Sequence, residues 1–165
     1  MPAWRGGPLP HPPQGDGGTC YPNLMYVQRL CQALHPPLKM PFVTILVEDN
    51  KPICDTLVPA LEETANAQVV AIAKTSMGAG QALARWRGKW HLLVVDLHLG
   101  QGSGLDVLQA VGPRSSDQHV LVLTNHATPE MRAHCLALGA DAVFDKVTEL
   151  QAFFDHCTQL PEVVV

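Results

Sequence analysis

Nothing in this sequence offers the sustained positive charge that draws a protein to nucleic acid or to an anionic membrane. Its 165 residues carry 11 Lys and Arg against 15 Asp and Glu, a formal charge of -4, and binding to such polyanions is driven largely by clustered cations. Long apolar runs are missing too. No stretch approaches the ~20 residues needed to cross a bilayer, and Pro and Gly interrupt the basic-then-apolar order of a signal peptide. Aromatic residues are only 5% of the chain, and Trp4, Trp86 and Trp90 are too scattered for a base-stacking platform. The cysteines, Cys20, Cys31, Cys54, Cys135 and Cys157, are odd in number with no CxxC pair, which argues against a disulfide framework and a zinc knuckle. These absences predict a cytoplasmic protein with no membrane insertion and no direct nucleic-acid contact.

What is present suffices for a core. Hydrophobic residues make up 47% and charged residues 16%, which excludes disorder of the whole chain, and the length suits one compact domain with an appendage. The appendage is residues 1–39, with eight prolines and five glycines. Such a stretch reads as an irregular extension, in which only Asn23 to His35 has the spacing of a short helix before Pro36-Pro37 stops it. Composition shifts at Met40. Residues 1–39 read either as an upstream extension of the reading frame or as a docking arm, and the low-complexity composition favours the former. Residues 40–165 form the predicted domain.

From Met40 onward the apolar rhythm alternates at the spacing of β-α units. Phe42–Val47 is a short β-branched run that reads as a buried strand. Asn50 then caps a helix with Pro52 in its first turn and Ile53, Leu57, Leu61 and Ala65 on one face, and Pro59 is expected to bend it. The cycle repeats through strand 68–73, helix 77–87, strand 91–95, a Gly-rich loop read as flexible, helix 105–111 and strand 119–124. Thr128-Pro129-Glu130 supplies a cap, an N1 proline and an acid suited to the helix dipole, and Gly139 suits the left-handed end. Strand 142–145 and helix 148–157 follow, the latter with Leu150, Phe153, Phe154 and Cys157 as its expected buried stripe. Five strands alternating with five helices predict an α/β fold, a doubly wound five-stranded parallel sheet covered on both faces.

Ligands of such sheets sit at the C-terminal ends of the strands. There the sequence puts Glu48 and Asp49 after the first strand, Asp96 after the third, Thr124 at the end of the fourth and Lys146 after the fifth. Each alone suits a helix cap or a solvated charge. Together, three carboxylates a few Å apart repel one another unless protonated or joined by a cation. Oxygen-only donors beside an open cleft favour Mg²⁺.

This set, with Gly104 eight residues after Asp96 and Gly139-Ala140-Asp141-Ala142 leading into the last strand, resembles the receiver domain of bacterial two-component response regulators over residues 42–160. The resemblance implies a flavodoxin-like sheet of order 2-1-3-4-5 and a phosphorelay signalling module rather than an enzyme. It implies Asp96 as phosphoacceptor, Glu48, Asp49, Asp96 and the backbone carbonyl of His98 as Mg²⁺ ligands, and Lys146 and Thr124 as contacts of the phosphoryl group. The partners implied are a histidine kinase or phosphotransfer protein and an output protein reached by contact. With only a few residues after the last helix, the expectation is a single-domain regulator.

Some positions depart from that pattern. Val147 stands for the usual proline after the lysine; a cis bond costs about 0.5–1 kcal/mol before proline but about 2.5–4 before valine, so the loop is expected trans, or cis under strain. Val143 replaces the usual aromatic and leaves Phe144 on the opposite strand face. Gly100 and Asn125 alter the flanking loops. These departures keep open a degenerate receiver acting without phosphorylation. An aspartate-nucleophile phosphohydrolase of the haloacid dehalogenase type fits poorly, because its Asp-x-Asp motif comes first and here the acidic pair does. Gly100-Gln101-Gly102-Ser103-Gly104 lacks the Lys-Ser/Thr of a P-loop, Ser103 is not in G-x-S-x-G, and the eight histidines include no HExxH.

Overall fold

The computed structural model of the chain describes residues 40–161; the Asn23–His35 segment lies outside them. Five strands, β1 (Phe42–Val47), β2 (Ala67–Ala73), β3 (Leu92–Val95), β4 (His119–Thr124) and β5 (Ala142–Asp145), form one sheet. All pairings are parallel, in the order β2-β1-β3-β4-β5. The helices are α1 (Lys51–Thr64), α2 (Ser76–Arg85), α3 (Gly104–Val111), α4 (Pro129–Ala137) and α5 (Leu150–Gln159).

The near-continuous apolar strands follow from burial on both faces. Ile45, Val47, Leu93, Val95, Val120, Val122 and Val143 point to one core, which Ala79, Val107, Leu108 and Cys135 of α2, α3 and α4 complete. Leu46, Leu92, Val94, Leu121 and Leu123 point to the other, closed by Leu57 and Leu61 of α1 and Phe153 and Cys157 of α5. Cys54, Cys135 and Cys157 are free and buried, and burial pushes the Cys157 thiol up to about 12. Helix α1 runs unbroken through Pro59.

Several features differ from the sequence reading, among them α2, which ends at Arg85 where the spacing carries it to residue 87. The Gly-rich loop is pinned rather than flexible. Ser103 caps α3 in a reciprocal box with Asp106, satisfying two otherwise orphaned N–H groups, and Thr75 bridges Gln101. A Cβ on Gly104 would stand 2.2 Å from the Asp96 carbonyl oxygen, so only glycine lets α3 start against the end of β3. Helix α5 starts two residues late, because Asp145 Oδ1 accepts the N–H groups of Val147 at 2.8 Å and Thr148 at 3.0 Å and winds that segment into a turn. Leu150 consequently lies outside the core, 41% exposed.

Candidate functional site

Because every strand runs the same way, the turns after β1, β3, β4 and β5 open on one rim of the sheet. Asp96 follows β3 and keeps only 7% of its surface exposed, while Glu48, following β1, is fully buried. The side chain of Lys146 reaches both: Nζ donates to Glu48 Oε2 at 2.5 Å and to Asp96 Oδ2 at 2.7 Å. Burial alone would lower the Lys146 pKa, but the bonds to Asp96 and Glu48 outweigh it and hold it above its usual value. This amine is therefore a fixed cation at neutral pH.

The other oxygens are set by backbone donors. Glu48 Oε1 accepts the Asn50 N–H at 3.0 Å, Asp96 Oδ1 that of His98 at 3.2 Å, and Asp49 Oδ2 that of Gly100 at 2.8 Å. The peptide bond from Lys146 to Val147 is trans, as is every described peptide bond. Lys146 still points inward because its own N–H is tied to the Thr124 carbonyl at 2.9 Å. Thr124 is fully buried at the end of β4. Its hydroxyl accepts the His126 N–H at 3.4 Å, so it joins the cluster through the Lys146 backbone and not through a side-chain bond to Asp96. Val143 faces the same core as Val122, whereas Phe144 packs on Phe153 across the sheet.

Three carboxylates and one ammonium leave a formal charge of -2 on this rim. Among the described residues no three His, Cys, Asp or Glu side chains are grouped so that together they could hold a metal ion. The donor set instead fits an open site for a hard divalent ion, which needs only one or two carboxylates and retains waters. Asp49, half-buried with one oxygen on the Gly100 amide, and Asp96 could hold such an ion, with Glu48 contributing charge.

Sequence reasoning did not identify the backbone donors at Asn50 and Gly100, nor the tilted contact of the exposed His98 and His126 rings, 4.4 Å between centroids, beside the opening. Backbone amides leave no mark in residue identity. The histidine pair could have been suspected from two imidazoles each two residues beyond a rim position.

Comparison with known proteins agrees with this geometry. A family model described as the response regulator receiver domain matches residues 44–157. The chain belongs to the response regulator receiver family. Among curated relatives, the acid tolerance regulatory protein ActR of Sinorhizobium medicae is 36% identical over 96 residues, 58% of this chain and 47% of the relative. The photosynthetic apparatus regulatory protein RegA of Cereibacter sphaeroides is 30% identical over 102 residues, 62% of this chain and 53% of the relative. The receiver chain thus spans about half the length of these relatives.

The solved receiver domain of a DNA-binding response regulator from Colwellia psychrerythraea shares the fold with a TM-score of 0.63 at 24% identity, covering 72% of this chain and 97% of that one. A response regulator from Burkholderia pseudomallei, solved with a phosphorylated aspartic acid, calcium ion and citrate, has a TM-score of 0.58 at 26% identity over 68% of this chain and 64% of that one. Among the described residues of this receiver, no helix is long and apolar enough to cross a membrane.

Proposed function

We propose that this receiver takes a phosphoryl group onto Asp96 from the phosphohistidine of a histidine kinase or phosphotransfer protein, in a Mg²⁺-dependent step, and signals by protein contact in the cytoplasm. The observation that carries this reading is the Lys146 ammonium held between Asp96 and Glu48 with Asp49 on the neighbouring strand end. An Asp96 carboxylate oxygen attacks phosphorus, an O–P bond forms as the P–N bond to histidine breaks, and the departing imidazole nitrogen takes up a proton. Such a transfer needs positioning and charge neutralisation more than covalent assistance.

Lys146 is aimed at the oxygens of the incoming group, and the Thr124 hydroxyl donates to one of them by swinging from its His126 contact. Asp49, Asp96 and the His98 carbonyl are the proposed ligands of Mg²⁺, whose bound charge would offset that of the phosphoryl oxygens, with Glu48 contributing charge rather than a ligand atom. The Burkholderia relative, solved with a phosphorylated aspartate and a calcium ion, supports the same assignment. The contact of Lys146 with Asp96 despite Val147 favours a phosphorylatable domain over a degenerate one.

Incubation with acetyl phosphate and Mg²⁺, read on a phosphate-affinity gel, tests this. A shifted band is expected in the wild type, lost with EDTA and in Asp96→Asn. No shift in the wild type would overturn the reading in favour of the degenerate module, and sustained donor turnover would favour a hydrolase.

A further inference from the structure

The two residues proposed to touch the phosphoryl group, Thr124 and Lys146, sit on separate loops. The family's usual devices for setting those loops, an aromatic at position 143 and a proline at 147, are both absent. Arg132 of α4 stands between the loops. Its Nε donates to the Ala127 carbonyl at 3.0 Å, in the loop that follows Thr124. Nη1 donates to the Val143 carbonyl of β5 and Nη2 to Glu149 Oε2, each at 2.5 Å. Glu149 Oε2 also accepts the Asp145 N–H at 2.7 Å, and the Glu149 N–H donates to the Asp145 carbonyl at 2.9 Å. Asp145 in turn holds the amides of Val147 and Thr148 through Oδ1. A continuous series of bonds therefore runs from the Thr124 loop, through one guanidinium, to the turn that carries Lys146.

We propose that Arg132 and Glu149 are a positioning pair that holds the Lys146 turn and the Thr124 loop in register for phosphoryl transfer. The inference rests on the function proposed above. A planar guanidinium suits this role because its fixed fork spreads donors on three nitrogens toward three separated acceptors, whereas an ammonium offers its three donors from a single atom. Neither side chain touches the reacting atoms. Their influence passes through the aim of Lys146, and a small misplacement of a group contacting the transferred phosphoryl lowers the rate steeply.

The test uses the full chain with Arg132→Met, Arg132→Lys, Glu149→Gln and the double variant Arg132→Met with Glu149→Gln. Phosphorylation by acetyl phosphate, per folded molecule, is expected to slow about tenfold in Arg132→Met, with Arg132→Lys between it and the wild type. Mg²⁺ affinity measured by calorimetry should stay within about twofold, since neither residue approaches Asp49. The double variant should be no slower than the worse single one, as expected for one shared linkage. Amide exchange at Val147 and Thr148 should speed up in Arg132→Met below its melting transition.

A loss of thermal stability with an unchanged rate per folded molecule would overturn the proposal, because the pair would then be a surface brace only. If the wild type accepts no phosphate, the proposed function fails, and exchange at Val147 and Thr148, read without any donor, decides the positioning role. Faster exchange in Arg132→Met supports it, and unchanged exchange overturns it.

Discussion

The two rims of the sheet both carry charged clusters, and they are built in opposite ways. At the rim where the strands begin, Arg114 donates to Asp141 through two nitrogens at 2.6 and 3.1 Å and also to the carbonyls of Gly139 at 2.7 Å and Gln118 at 3.0 Å. Asp141 accepts the Val120 N–H at 2.6 Å, and Gln118 ties Trp90 to Ser115 through its amide. One positive charge meets one negative, and both side chains are also bonded to backbone, so this cluster joins chain segments with its charges balanced. At the rim where the strands end, one ammonium faces three carboxylates. The imbalance that remains, rather than the presence of charge, separates a binding site from a structural clasp.

Removing the cation from the functional rim gives the largest expected effect. Lys146→Met leaves Glu48 and Asp96 buried without their shared partner, so a divalent ion becomes the remaining means of neutralising them. Phosphorylation of Asp96 is expected to fall by about 10²–10³, the loss typical of one donor to a developing charge. Mg²⁺ binding measured by calorimetry should become about tenfold tighter, because the competing positive charge a few Å away is gone. A variant in which Mg²⁺ binding weakens would mean that Lys146 organises the ion's ligands instead of opposing the ion, and the contrast between the two rims would lose its basis.

The corresponding cut at the opposite rim should affect stability and spare the chemistry. Arg114→Met strands the carbonyls of Gly139 and Gln118 and unpairs Asp141. Four charge-assisted bonds are lost, but the pair is partly exposed, with side chains 20% and 36% accessible, so the cost is about 1–3 kcal/mol in urea unfolding. The rate of Asp96 phosphorylation in the folded fraction should be unchanged. A slowed rate would show the two rims to be coupled through β4.

The difference between the rims was only partly visible in the residues. The spans of β1, β4 and β5 match the sequence reading residue for residue, because strands buried on both faces write an apolar run bounded by breakers. The rim residues 48, 49, 96, 124 and 146 could be picked out because parallel topology sends every strand end to one side. Gly104, read as part of the family pattern, proved to be a steric necessity against the Asp96 carbonyl. Other features depend on tertiary contacts with no local period. Arg132 and Glu149 are 17 positions apart on separate elements, and Leu150 has helical spacing but is turned outward by the Asp145 turn ahead of it. Ser103 was hidden by its glycine neighbours, although Ser103 and Asp106 have the spacing of a capping box.

The smallest expected effect concerns pH and again separates the rims. His119 opens β4 at the clasp rim, and its Nε2 is buried with no partner among the described residues. Burial pushes this imidazole down, against the pull of Asp141. Its folded pKa lies below the unfolded value of about 6.5, so the folded state binds fewer protons there and stability declines as pH falls from about 6.5 toward the lowered value. Asp141 acts in a separate window. Burial raises its carboxyl, but the bonds from Arg114 and the Val120 amide prevail and hold it below its usual range. Its contribution is present above the unfolded carboxylate value near ~3.9 and is lost as pH drops through its folded value. Urea unfolding between pH 7 and 5 should therefore show a slope of at most ~1.4 kcal/mol per pH unit from this histidine, the limit for one proton. In His119→Leu that part of the slope should vanish while the steeper loss below pH 4 persists. An unchanged slope between pH 7 and 5 would place the titrating group elsewhere and leave the clasp rim, like Arg114 and Asp141 within it, sensitive only to strong acid.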